Sequence, residues 1–141
     1  MPYEYLEHTA DVAIGVRAAS LEEMLCDAAL GLFSIMVPAE QLSPLRSVEI
    51  VLNAGSVEML LVDWLAELLA QKDLRRLLFC RFAVTLECRG TAGLSLRGTA
   101  WGEPLDRLRH AVGAEAKGIS HAGLLAQHER GGWVARFVVD V

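Results

Sequence analysis

"RFAVTLECRGTAGLSLRGTAW", Arg81–Trp101, decides the fold class. Two strand-like runs flank a connection at Gly90–Gly93, and glycine supplies the backbone freedom that a tight reversal between antiparallel strands needs. The stretch reads as a β-hairpin. A second hairpin closes the chain, "EAKGISHAGLLAQHERGGWVARFVVDV", Glu115–Val141, turning at Arg130, Gly131 and Gly132. Neither glycine group fits G-x-G-x-x-G or a Walker pattern, so both serve turns and no nucleotide loop is visible.

Upstream, "SVEMLLVDWLAELLAQ", Ser56–Gln71, reads as a helix capped by Ser56 with a wide apolar face of Val57, Leu60, Leu61, Trp64, Leu65 and Leu68. It follows a strand, "SVEIVLNA", that sets Val48, Ile50 and Leu52 on one face. An earlier helix, "SLEEMLCDAALGLFSIM", opens with a capping box of Ser20 and Glu23 and repeats Leu21, Leu25, Ala28, Leu32 and Met36 at helical spacing. Pro38 and Pro44 bracket the loop after it. At the start, Tyr3 and Tyr5, then Val12, Ile14 and Val16, alternate like two half-buried strands. The expected class is α+β, two-layer, with two α-helices packed on a mostly antiparallel β-sheet.

The 141 residues, 53% hydrophobic and without repeats or linkers, read as one domain over 1–141, long enough to bury roughly two-thirds of the unfolded surface. Cys26, Cys80 and Cys88 are odd in number, lack zinc or C-x-x-C spacing and sit among apolar neighbours. They read as buried thiols of a cytoplasmic protein. The most hydrophobic run, "MLLVDWLAELLA", is broken by Asp63 and Glu67, so neither a signal peptide nor a membrane span is expected. A net charge of −5 argues against strong direct binding of nucleic acid, whose affinity comes mainly from phosphate neutralisation by Lys and Arg.

Chemistry falls to the polar residues that break this pattern. In "EYLEHTADVAIGV", Glu7, His8, Thr9 and Asp11 stand between two strands; read alone, Thr9 and Asp11 could equally satisfy backbone amides of a turn. Asp140 interrupts the last strand just before Val141, a pairing that could attract a cation or be a solvated end. Glu115 and Lys117 fall at i and i+2 on one strand face, with His121 further along it. Of the 13 basic residues only Lys72, in a polar helix end, and Lys117 are lysines. Lysine at 117 supplies a compact point charge; an exposed ion pair with Glu115 is the equal alternative. No H-E-x-x-H, nucleophile elbow or EF-hand spacing occurs, so no catalytic residue is assigned.

Taken in order, "EYLEHTADV", "LVDWLAELL", "AWGE", "EAKGIS" and "VVDV" resemble the archease family along nearly the whole chain. The resemblance implies an accessory protein that activates the GTP-dependent, manganese-containing tRNA-splicing RNA ligase, promoting its guanylation and multiple turnover. It further implies a divalent-metal site of Asp11, Asp140 and Val141, with Lys117 matching the lysine of an E-x-K motif and Glu7, His8, Glu115 and Lys117 serving activation of the ligase. Glu7 replaces an aspartate common in the family, and His121 and Ala122 fall where many members carry tyrosine and histidine. Oxygen donors suit Ca²⁺, Mg²⁺ or Mn²⁺.

If the last hairpin is centred on Gly131, Asp140 lies opposite Ala122 and Lys117 is about five residues, roughly 17 Å, further along. Either a bulge closes that gap or Lys117 serves a neighbouring surface. The rival functions are a free-standing metal-dependent phosphohydrolase, which would need more positive charge around the metal, and a chaperone-like binding module.

Overall fold

Two serines start the helices. Ser20 Oγ accepts the Glu23 N–H at 3.1 Å and Ser56 Oγ accepts the Met59 N–H at 3.2 Å, each meeting one of the amides that a helix start leaves unpaired. The computed structural model describes residues 2–6, 11–106, 110 and 113–141. In chain order the elements are β1 (Tyr3–Leu6), β2 (Val12–Ala18), α1 (Leu21–Ser34), β3 (Arg46–Ala54), α2 (Val57–Arg75), β4 (Leu77–Cys88), β5 (Leu94–Pro104), β6 (Gly118–Glu129) and β7 (Gly132–Asp140).

The α+β reading holds: two helices pack on antiparallel strands. The strands are divided over two sheets, however, β1-β2-β7-β6 and β3-β5-β4, and each helix packs against both. The helices explain the division. α1 buries Met24, Leu25, Ala28, Ala29, Leu32 and Phe33, and α2 buries Leu60, Leu61, Val62, Trp64, Leu65, Leu68 and Leu69. Apolar surface that broad needs cover on more than one side.

Trp64 is fully buried at this junction. Its indole N–H donates to the Leu25 carbonyl at 3.0 Å, linking the helices, and its ring meets Phe82 edge-on at 6.4 Å. A Cβ at residue 98 would stand 2.7 Å from Trp64 Cζ3, so Gly98 on β5 makes the space that the ring fills.

Two expectations from the sequence fail here. Lys72 is buried, because α2 runs on to Arg75 and position 72 shares the face of Leu65 and Leu68; its ammonium meets Asp73 Oδ1 at 2.8 Å. The thiols are not uniformly buried: Cys26 and Cys80 are half-buried, while Cys88 is exposed at the end of β4 beside the exposed turn. Burial, then Asp27, pushes the Cys26 thiol up to about 11. Among the described residues no helix is long and apolar enough to cross a membrane.

Candidate functional site

β7 is one of two inner strands of the four-stranded sheet, paired with β2 on one side and β6 on the other. The β2 register runs from Ala18↔Trp133 to Val12↔Val139. Asp11, one residue before Val12, and Asp140, one after Val139, therefore occupy adjacent positions at the same end of neighbouring strands. Asp11 is half-buried, Asp140 is exposed, and Val141 beyond it is 39% exposed.

On the other flank the sequence estimate of the register is wrong by four residues. The partner of Asp140 is Gly118, not Ala122. The turn is centred between Arg130 and Gly131, which moves the ladder by one residue, and a bulge moves it by three more. Leu125 pairs with Arg136 and Ser120 with Val138, so His121–Leu124 stand against Phe137 alone. The bulge draws the start of β6 toward the end of β7, and the Lys117 N–H donates to the Asp140 carbonyl at 2.8 Å. Of the two ways considered for relating Lys117 to the aspartates, the bulge is the one found.

Glu115 and Lys117 do not share a strand face, because β6 begins only at Gly118. Both are exposed, and Ala116 between them is buried in the core. Glu115 lines a cavity of about 630 Å³ together with Lys72, Asp73 and Arg76 at the end of α2. Arg76 ends that helix in the left-handed region, with φ 54°. Glu7 and His8 lie outside the described residues.

Asp11, Asp140 and the oxygens of Val141 form an all-oxygen donor set, which fits a hard divalent cation and gives a thiolate-seeking metal no ligand. Among the described residues no group of three or more His, Cys, Asp or Glu side chains is arranged to hold a metal.

The sequence reading missed a buried pair at the end of β5, in the other sheet. His110 Nε2 lies 2.8 Å from Glu103 Oε1, with both side chains almost wholly buried. The Asp106 N–H is aimed at His110 Nδ1 at 2.9 Å, which makes Nε2 the protonated nitrogen and the donor to Glu103. Gly113 adds a second tie, its N–H donating to the Met36 carbonyl at 2.6 Å. These contacts fasten the segment between β5 and β6, which delivers Glu115 and Lys117. The available signal was Glu103, a carboxylate near the end of a strand made mostly of apolar and small residues.

The profile of the Archease protein family (MTH1598/TM1083) matches residues 3–141. Protein archease of Methanopyrus kandleri is 38% identical over 141 residues, covering all of both chains. Protein archease of Methanosarcina mazei is 36% identical over 140 residues, or 99% of this chain and 95% of its own. The solution structure of Methanobacterium thermoautotrophicum protein 1598 superposes with a TM-score of 0.86 at 27% identity, covering 99% of each chain. The crystal structure of a Thermotoga maritima archease, described as a possible chaperone, shares the fold, with a TM-score of 0.63 at 17% identity over 96% of this chain and 94% of its own. The chain belongs to the archease family.

Proposed function

We propose that this protein is an accessory factor of the GTP-dependent tRNA-splicing RNA ligase, raising guanylation and turnover through an acidic tip at the end of β2 and β7. The observation that carries the reading is the convergence of Asp11, Asp140 and Val141 at one sheet end, with Lys117 tied to the same strand terminus. A divalent cation held there would supply positive charge to phosphate oxygens. Asp11 and Asp140 give anionic oxygens, Val141 gives a backbone carbonyl oxygen, and Lys117 gives a mobile cation able to reach a phosphate. The exposure of Asp140, Val141 and Lys117 suits a tip presented to another protein's active site. An acidic surface also complements a partner whose RNA-binding face is basic.

The Thermotoga maritima relative is described as a possible chaperone, and a chaperone-like role here would act through exposed apolar surface. Such a surface would have to draw on side chains such as Leu45 and Val51 at β3, Met59 and Leu74 on α2 and Leu105 after β5, which are exposed away from the tip. The test is calorimetric titration with Ca²⁺, Mg²⁺ and Mn²⁺, run beside ligation with the cognate ligase. Binding that is lost in both Asp11→Ala and Asp140→Ala is expected; phosphate release by the protein alone would favour a phosphohydrolase.

A further inference from the structure

We infer that Gly123 is a positioning residue for the acidic tip: the bulge it permits sets the register in which Asp140 faces Gly118 instead of His121. Near the turn the β6 and β7 ladder is regular, from Glu129↔Gly132 to Leu125↔Arg136. Continued without interruption, it would bring His121 opposite Asp140 and carry Lys117 past the end of β7. The three extra residues absorbed at His121–Leu124 prevent this.

Gly123 has φ +71°, a conformation that costs glycine nothing and strains any β-branched residue. Space is not the constraint, since the nearest atom to a Cβ there would be Val138 Cγ2 at 4.0 Å. Ser120 Oγ accepts the Ala122 N–H at 3.1 Å and closes the start of the bulge. Leu124 packs against the core at its far side, while His121, Ala122 and Gly123 face solvent. The bulge is thus anchored at both ends and bent at Gly123.

Its consequence falls on Asp140. Directly opposed residues on antiparallel strands have Cβ atoms about 4.5–5.5 Å apart. An imidazole at that position would sit against the carboxylate and compete for its oxygens. Gly118 presents no side chain there, and a Cβ added to it would stand 3.8 Å from Asp140 Oδ2. The bulge therefore leaves the Asp140 carboxylate open and supplies the Lys117 amide to its carbonyl.

The value of this register to function rests on the proposed tip, and its test is arranged so that the two fail separately. Proton NMR contacts across β6 and β7 and Ca²⁺ titration are measured on the full chain, on Gly123→Val, on Gly123→Asn and on a variant lacking residues 121–123. The deletion joins Ser120 to Leu124 in an unbroken ladder that keeps Gly118 opposite Asp140. Gly123→Val should lose the Gly118–Asp140 contacts, gain His121–Asp140 contacts and bind Ca²⁺ about tenfold more weakly. Gly123→Asn, which tolerates the left-handed region, and the deletion should both keep the parent register and affinity. If Gly123→Val does not fold, Gly123→Ala takes its place: loss of the Gly118–Asp140 contacts there, with Gly123→Asn and the deletion keeping them, supports the inference, and their retention in Gly123→Ala overturns it. Gly123→Val with the parent contacts intact also overturns it. A parent chain that binds no Ca²⁺ removes the cation reading and leaves the NMR comparison to decide the register.

Discussion

Lys117 donates its backbone N–H to the carbonyl of Asp140 at 2.8 Å, joining the start of β6 to the end of β7. Because the bond uses the backbone, it survives a change of side chain. Lys117→Ala should keep the strand register and Ca²⁺ affinity while lowering stimulation of the ligase on the order of tenfold or more, if the ammonium meets a phosphate as the reaction proceeds. The check is a ligation time course beside a metal titration; equal loss in both would make Lys117 part of the scaffold.

That bond also marks where the sequence stopped being legible. Serine caps and helical spacing located α1 and α2, and the glycine turns located both hairpins, because these signals are local. Asp11 stood out in a polar cluster between two strands, and Asp140 as a charge interrupting an apolar one. The bulge at His121–Leu124 gives a weaker signal, since a single glycine inside a strand pattern points to a bulge without fixing how many residues it absorbs. Nor does spacing reveal that the helices bury broad enough surfaces to separate the strands into two sheets. Glu103 and His110 escaped because their pairing depends on how the segment after β5 folds back.

Trp64 fills the space left by Gly98 and bonds Leu25 across the helices. Trp64→Ala should destabilise the protein by about 3–5 kcal/mol in urea unfolding, through lost burial and a residual cavity. A midpoint unchanged from the parent would show that this junction does not hold the fold together.

Asp27, on α1, has a carboxylate oxygen, Oδ2, with no hydrogen-bond partner, and burial followed by Glu23 pushes its pKa up to about 6. The folded state therefore holds this proton more tightly than the unfolded chain does. The associated stability is complete below the ordinary value of 3.8 and is lost as pH rises through about 6. Asp27→Asn should raise Tm by a constant amount above pH 6, a gain that shrinks as pH falls from 6 toward 4. Scanning calorimetry across that range is the check, and a pH-independent difference would contradict it.

His110→Ala would leave the buried Glu103 carboxylate without its 2.8 Å imidazole partner. The expected cost is about 1.5–3 kcal/mol, the worth of a hydrogen bond to a charged group. Hydrogen exchange should localise the loosening to the segment before β6, and protection there equal to the parent's would show that the pair does not fasten it.

Multiple-turnover ligation with the cognate ligase, with and without this protein, tests the acidic tip most directly. The parent chain should raise turnover, and Asp11→Ala and Asp140→Ala should each bring it close to the level of the ligase alone, with circular dichroism unchanged. The double variant should be little worse than either, because groups that hold one ion act as a unit. Undiminished turnover with both single variants, each correctly folded, would contradict the account.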